Sequence, residues 1–201
     1  MPRSPRIEIP GGAYHVGGRG NRGCRIFADA YEGRIFLKLL ERVSRRYSWT
    51  CYAYCLMSNH YHLVLRLEDG GLSDGIRELN GGFARFTNVR HGLEGHLFRN
   101  RFWSELIEDD AYLLQASRYI VLNPVRAHLC TTPEQWRWSS HRSYIGLDYA
   151  PGFLAVNDFL RLFAPSARSA RNLYCKFVED GIDDGAPGVR HRRETRTPHE
   201  R

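Results

Sequence analysis

Apolar side chains along the chain recur with the period of a helix in three segments. Residues 29–47 carry four apolar side chains at helical spacing, and Asp29 is placed to cap the start of that helix. Residues 72–89 repeat the pattern with apolar positions at steps of four and three. A third helix is predicted over 109–123, because acidic residues stand at its start and Pro124 disfavours the α conformation in the residue before it.

Segments with the pattern of a strand lie between these helices. They are residues 14–23, a short strand running into a glycine- and arginine-rich turn; 48–57 and 60–67, an antiparallel hairpin; and 96–109, which contains a further strand. This order matches the split β-α-β unit. We therefore expect an α+β, ferredoxin-like (RRM-like) fold, with an antiparallel sheet, helices packed on one face and an extra helix after the last strand.

The hydrophobic pattern weakens after residue 125, where short helices are predicted over 133–146, 156–163 and 169–180. A length of 201 residues suits one domain with appendages. Residues 185–201 have five arginines, two glutamates and no apolar periodicity, and we predict that they are disordered. The predicted division is 8–147 for the main domain, 148–184 for a small helical extension and 185–201 for a basic tail.

The charge balance favours a polyanionic partner. Lysine and arginine number 29 against 22 aspartates and glutamates, which gives a formal charge of +7 and an isoelectric point near 9.4. A protein of this charge can bind nucleic acid through phosphate contacts and the release of counterions. Charge alone does not exclude a basic enzyme that acts on other substrates.

The cysteines and the apolar runs indicate the cellular compartment. Five cysteines are scattered without a C-x-x-C pair, which argues against a disulfide scaffold and for a reducing compartment. No apolar stretch approaches the ~20 residues that a membrane span requires. The first ten residues contain no apolar segment typical of a signal peptide. We therefore expect a cytoplasmic protein that does not bind membranes.

Residues 18–23, GRGNRG, match the G-x-G-x-x-G pattern of dinucleotide-binding folds. Such a fold needs a helix that opens at this point and an acidic residue at the end of a second strand ~20 residues later. Glu41 has about that spacing but lies inside a predicted helix. A loop that approaches a phosphate backbone fits better, because glycine permits close approach and arginine offers a forked pair of donors. An ordinary flexible turn is the alternative.

The stretch LMSNHYHLVL, residues 56–65, contains a candidate metal site. Alternation in a strand puts His60 and His62 on one face and Tyr61 on the other, among core residues. Two imidazoles about 7 Å apart along a strand can converge on one cation. Histidines without a catalytic role are the alternative. A zinc site with Cys51 and Cys55 has a ligand spacing that fits none of the usual patterns.

The stretch RYIVLNPVRA, residues 118–127, offers further groups for such a site. Tyr119 and Asn123 are four residues apart and therefore share one helix face, flanked by Arg118 and Arg126. An amide oxygen and phosphate oxygens are ligands that suit Mg²⁺ or Mn²⁺. The alternative is that Asn123 simply ends the helix before a proline.

Four blocks in this order resemble a known family: YHVGGRGNRG, LMSNHYHLVL, GHLFRNRF and RYIVLNPVRA. They are similar to the single-tyrosine HUH transposases of bacterial insertion sequences, and within these to the REP-associated tyrosine transposases. HUH denotes two histidines around a hydrophobic residue, here His60-Tyr61-His62. The resemblance covers roughly residues 8–147. Val121 and His128 stand where relatives often carry His and Gly, and Arg99-Asn100 replace a common Gln-Gly.

The resemblance implies metal-dependent cleavage and rejoining of single-stranded, hairpin-containing DNA through a 5′-phosphotyrosine intermediate. Tyr119, on the extra helix, would be the nucleophile, and His60, His62 and Asn123 would hold Mg²⁺ or Mn²⁺. The implied partners are DNA hairpins from palindromic repeats. We expect a monomer, with a dimer as the alternative, in the bacterial cytoplasm and associated with the nucleoid when bound to DNA.

Arginines around the site are expected to contact the DNA, and aromatic side chains to stack on unpaired bases. The candidates are Arg19, Arg22, Arg25, Arg85, Arg99, Arg101, Arg118 and Arg126. Two other functions stay open from the residues. One is a protein of the same fold that binds single-stranded DNA or RNA without cutting it. The other is a metal-dependent phosphodiesterase that acts on small nucleotides with water in place of Tyr119.

Overall fold

The computed structural model describes residues 8–183, and a four-stranded antiparallel sheet forms its centre. The strands are β1 (Ala13–Arg19), β2 (Trp49–Met57), β3 (His60–Leu67) and β4 (Trp103–Ile107). The helices are α1 (Ala30–Arg46), α2 (Leu72–His91), α3 (Asp110–Arg126), α4 (His141–Ile145), α5 (Val156–Arg161) and α6 (Ala167–Asp183). None of the described helices is long and apolar enough to cross a bilayer.

The strand order is β2-β3-β1-β4, with every neighbouring pair antiparallel. Strands β1 and β3 are therefore central, and almost every residue in them is buried. This arrangement confirms the predicted α+β, ferredoxin-like fold. Helices α1 and α2 pack on one face of the sheet, where Tyr61 of β3 contacts Phe36 of α1 with 4.8 Å between ring centroids. Helix α3 lies on the other face.

The predicted end of the third helix at Asn123 is wrong, because α3 continues through Pro124 to Arg126. Proline lacks an N–H and crowds the carbonyl four residues earlier, so the residue before it usually leaves the helix. Here Pro124 and the apolar residues before it are buried, and burial outweighs that local preference. The chain turns at His128, whose φ of 54° lies in the left-handed region that favours glycine.

The chain after α3 covers the outer edge of β2. The Leu56 N–H donates to the Trp138 carbonyl at 2.8 Å, and the Ala155 N–H donates to the Cys51 carbonyl at 2.9 Å. These bonds satisfy backbone groups that an edge strand otherwise leaves open. The predicted helices at 156–163 and 169–180 are confirmed as α5 and α6. The one predicted over 133–146 is instead a short 3-10 turn, Pro133–Gln135, followed by α4.

Helix α6 packs on α3 and on the buried side chains of α4 and α5, so the predicted extension shares the hydrophobic core of the main domain. The guanidinium of Arg118 in α3 lies 4.4 Å from the ring centroid of Phe177 in α6. The basic tail predicted over 185–201 lies outside the described residues.

A group of charged side chains joins the start of α1 to the end of α2. Asp29 caps α1, as predicted, by accepting from the N–H groups of Tyr31 and Glu32. Arg90 donates to both Asp29, at 2.5 Å, and Glu32, at 3.1 Å. The hydrogen bond from Arg90 holds the pKa of the Asp29 carboxyl well below its usual value. The ion pair therefore stabilises the folded protein at neutral pH.

Replacing Arg90 with glutamine is expected to lower the Tm at pH 7, and the deficit relative to the unchanged protein should shrink in acid. A depressed folded-state pKa contributes stability above the unfolded value, 3.8 for aspartate, and that stability is lost as pH falls below it. Calorimetry between pH 7 and pH 3 measures the difference. Arg161→Gln is the matched control, since it removes only an exposed pair with Asp158. A deficit independent of pH would contradict this account.

Two adjacent glycines of β1 make room for aromatic rings on the two faces of the sheet. A Cβ at Gly17 would lie 2.5 Å from the Trp103 ring, and one at Gly18 would lie 2.6 Å from the Tyr61 ring. Both distances are shorter than packed carbon atoms allow. The glycines therefore permit the rings to lie directly on the backbone of β1.

Gly18→Ala is expected to lower the free energy of unfolding by about 1–3 kcal/mol, because the added methyl group overpacks a buried ring. Urea denaturation followed by circular dichroism measures the change. Gly81→Ala in α2 is the control, because a Cβ there meets no atom within 4 Å. That control should be neutral or stabilising, since alanine favours a helix over glycine. Equal stability of the Gly18 variant and the unchanged protein would refute the packing argument.

Candidate active site

Three histidines meet on the α3 face of the sheet. In the β1–β3 register His62 is opposite Gly17 and His60 is opposite Arg19. The rings of His60 and His62 have centroids 5.1 Å apart, on one face as the alternation predicted. His15 of β1 lies on the same face, with its Nε2 3.1 Å from Nδ1 of His62.

Tyr61 lies on the opposite face, also as predicted. Its side chain is fully buried, and its hydroxyl donates to Oδ1 of Asn80 at 2.8 Å. Burial raises the pKa of the Tyr61 phenol. The conspicuous tyrosine between the two histidines is therefore part of the core and is separated from them by the sheet.

Helix α3 brings Tyr119 to the histidines. The Tyr119 ring centroid lies 6.0 Å from that of His62 and 6.1 Å from that of His15, both edge to face. The ring is half-buried, and the guanidinium of Arg126 lies 5.1 Å from its centroid. Burial lowers the pKa of Arg126, but an arginine stays charged near neutral pH. A cation therefore lies over the ring of this phenol.

The hydrogen bonds of Asn59 select the tautomer of His60. The Asn59 Nδ2 donates to the carbonyl of Gly23 at 3.2 Å, which directs its Oδ1 toward Nδ1 of His60 at 2.6 Å. Nδ1 of His60 therefore carries the proton, and the lone pair is on Nε2. Burial, with a smaller effect from Arg19, lowers the pKa of His60 to about 4. A neutral imidazole held by an outer partner is typical of metal-binding histidines.

His62 has a comparable arrangement, which the sequence did not predict. His15 occupies the Nδ1 side of His62, so Nε2 of His62 is on the side of the ring away from His15. The Trp103 ring packs on both imidazoles, with centroids 4.6 Å from His15 and 5.6 Å from His62. His15 precedes the glycine-arginine turn in the sequence, but only the β1–β3 register shows that it faces His62.

The described residues do not form the cysteine-containing zinc site that the sequence left as an alternative. No group of three or more His, Cys, Asp or Glu side chains within residues 8–183 is placed to hold a metal. Asn123 donates its Nδ2 to the Tyr119 carbonyl at 3.2 Å, so Oδ1 is the atom that it could offer to a cation. Burial raises the pKa of Cys51 and Cys55, which keeps both thiols protonated and unsuited to zinc. An amide oxygen and phosphate oxygens are ligands that suit Mg²⁺ or Mn²⁺, and the two imidazoles can bind several divalent cations.

Four of the arginines predicted to contact DNA border this face or the turn beside it. Arg19 is opposite His60 in the register, and Arg126 lies over Tyr119. Arg22 and Arg25 are exposed on the turn that Asn59 joins through Gly23.

The other four arginines lie elsewhere. Arg85 is exposed on α2, on the opposite side of the sheet, and Arg99 and Arg101 are exposed in the segment before β4. Arg118 donates to the Phe177 carbonyl at 3.2 Å, so the structure gives it a packing contact between α3 and α6. A role for any of the eight in DNA binding stays a prediction.

Known proteins resemble this chain in both sequence and fold. The profile of the family described as "Transposase IS200 like" matches residues 13–123. A protein of Haemophilus influenzae (strain ATCC 51907 / DSM 11121 / KW20 / Rd), provisionally named a REP-associated tyrosine transposase, is 29% identical over 138 residues, which are 63% of this chain and 78% of the relative.

A solved structure of a REP-associated tyrosine transposase bound to a REP hairpin has the same fold. It superposes with a TM-score of 0.61 at 23% identity, over 79% of this chain and 95% of that one. The family profile spans more than half of the chain and includes His15, His60, His62, Tyr119 and Asn123. The resemblance to insertion-sequence transposases is thereby confirmed, and the chain belongs to the IS200-like transposase family.

Proposed function

We propose that this protein cleaves and rejoins single-stranded DNA beside a hairpin, with Tyr119 as the nucleophile. The contact of the Tyr119 ring with His62 and His15, at 6.0 and 6.1 Å between centroids, carries the proposal. It places a phenol beside His62, one of the two proposed metal-binding imidazoles, and beside the His15 that contacts it, in a protein of a transposase family. The REP hairpin bound to the structural relative supports DNA hairpins as the partner.

The proposed reaction is a transfer of the DNA strand to the protein and back. The Tyr119 oxygen attacks a phosphodiester in line, forms a bond to phosphorus and displaces the 3′-oxygen, which takes up a proton. The products are a 5′-phosphotyrosine and a free 3′-hydroxyl. A phenolate is a better leaving group than an alkoxide, so a DNA 3′-hydroxyl can later attack the phosphotyrosine and reseal a strand without ATP.

His60, His62 and Asn123 are the residues that would hold a divalent cation in this proposal. Mg²⁺ or Mn²⁺ bound there would polarise the scissile phosphate and offset negative charge on its oxygens. Asn59 and His15 keep both imidazoles oriented through their Nδ1 atoms.

Two arginines supply the remaining positive charge. Arg126 lies over the Tyr119 ring, where it offsets the charge that develops on the phenol oxygen. Arg19, beside His60, is placed to contact a neighbouring phosphate. We further propose that the protein acts as a monomer, since Tyr119 and His62 of one chain already meet, and that it is cytoplasmic.

Incubating the protein with Mn²⁺ and DNA hairpins is expected to give a covalent protein–DNA adduct. The hairpins have a fixed stem and randomised single-stranded flanks. A label at the 3′ end of the DNA should move with the protein on a denaturing gel, and a 5′ label should appear in a shorter, free strand. Tyr119→Phe should abolish the adduct, because it removes the attacking oxygen. Tyr112→Phe, on the same helix, is the matched control and should keep it.

Other outcomes distinguish the alternative functions. Binding of the hairpins with neither adduct nor cleavage would favour a non-cleaving DNA-binding protein. Metal-dependent cleavage that survives Tyr119→Phe would favour a phosphodiesterase that uses water, and it would refute Tyr119 as the nucleophile.

Binding of Mn²⁺ should depend on the histidine pair and on its outer partners. His62→Gln is expected to abolish binding, measured from the electron paramagnetic resonance signal of free Mn²⁺ during a titration. Asn59→Ala should weaken binding by roughly 10–100-fold, the usual cost of losing an outer partner. Tyr119→Phe is the control and should bind Mn²⁺ normally, because the phenol is no ligand in this proposal. Unchanged affinity in His62→Gln would rule out the assigned site.

A further inference from the structure

A cavity lies between α2 and residues 95–102, on the face of the sheet opposite Tyr119. We call it the α2 groove. Its volume is about 610 Å³, within the range of small-ligand sites. Asn80 and Gly81 line it from α2, and Phe98, Arg99, Arg101 and Phe102 line it from the facing segment. No lining residue is acidic, so the groove is suited to an anionic ligand.

The polar group inside the groove is held by the core. Tyr61 donates its hydroxyl to Oδ1 of Asn80, which fixes the orientation of the amide. The two N–H donors of Asn80 are then on the side away from the tyrosine. They can bind the carbonyl or ring nitrogen of a planar heterocycle. The half-buried Phe98 supplies apolar lining on which its ring can stack, and the more deeply buried Phe102 adds to that lining.

The rim of the groove carries positive charge that no carboxylate of the described residues pairs with. Arg99 and Arg101 are both exposed, and neither forms an ion pair within residues 8–183. Exposed guanidinium groups beside an apolar cavity suit a ligand with an apolar ring and a phosphate. A nucleotide has both parts.

Backbone hydrogen bonds connect the groove to the candidate active site. Phe98 forms a bridge with Gly20, and the Arg99 N–H donates to the Arg19 carbonyl at 2.9 Å. Arg19 is in turn opposite His60. Two strand spacings, about 10 Å, therefore separate His60 from Arg99. A strand of DNA at the histidines can reach the groove around the end of β1 with one or two nucleotides.

We propose that the α2 groove binds one unpaired base of the single-stranded DNA next to the cleaved phosphate. The base stacks on the phenylalanines and accepts from Asn80, while Arg99 and Arg101 bind the flanking phosphates. This inference rests on the proposed function, since it takes single-stranded DNA as the substrate. It adds a place where the sequence of the flank is recognised, on the sheet face away from the nucleophile.

Gly81 permits a test that leaves the fold intact. A Cβ there meets no described atom within 4 Å, so Gly81→Leu begins in open space at the lining of the groove and is designed to fill it. Gly82→Ala is the matched control, because that position faces Leu39 of α1. Both changes favour the helix. Each is combined with Tyr119→Phe and tested without divalent metal, so that binding is measured apart from cleavage.

Fluorescence anisotropy measures the affinity of each variant for hairpins with a randomised single-stranded flank and for the same hairpin without a flank. Gly81→Leu should weaken binding of the flanked hairpin at least about fivefold, the smallest effect expected from losing one stacked base. It should leave the flankless hairpin unchanged, and Gly82→Ala should alter neither. An equal loss for both hairpins, or no loss for the flanked one, overturns the proposal.

Photocrosslinking locates the base directly. Flanks that contain 4-thiothymidine should crosslink to Phe98 or Phe102, as mapped by mass spectrometry, and Gly81→Leu should remove these crosslinks. Crosslinks confined to other described residues overturn the assignment of the groove. The adduct assay tests the proposed function separately. If no adduct forms but the binding and crosslinking results are as expected, the phosphotyrosine mechanism is refuted and the assignment of the groove is not.

Discussion

The pleat of strand β3 is the constraint on which both the core and the candidate site depend. Successive side chains of a strand point to opposite faces, so His60 and His62 reach one face and Tyr61 fills the other. A register shift of one residue would turn the imidazoles toward α1 and α2 and the phenol toward α3. The neighbouring strand fixes the register, because Gly17 and Gly18 leave the space that the rings on the two faces require.

Helix α3 turns this sheet face into a site by laying Tyr119 across it. The helix continues through Pro124, whose burial outweighs its local preference, as far as Arg126, which lies over the Tyr119 ring. Arg118 and Phe177 pack α6 against the outer side of α3. The part of the chain with the weakest sequence pattern therefore stabilises the helix that carries the proposed nucleophile.

Local periodicity determined much of this protein. The elements of the split β-α-β unit followed from apolar spacing, since each element buries one face or stripe. The alternation in β3 placed Tyr61 in the core, and the four-residue step placed Tyr119 and Asn123 on one side of α3. The four sequence blocks indicated the transposase family. The predicted end of α3 was wrong, because the preference of the residue before a proline for a non-helical conformation takes no account of burial.

Contacts between distant segments were decided only by the tertiary structure. His15 and Asn59 gave no sign in the sequence that they orient His62 and His60, because cross-strand register and turn geometry depend on the whole sheet. The α2 groove likewise requires Asn80 to face residues 95–102 across the fold. A sequence determines which groups share one element. Which elements meet depends on how their buried faces pack together, and packing is a property of the entire chain.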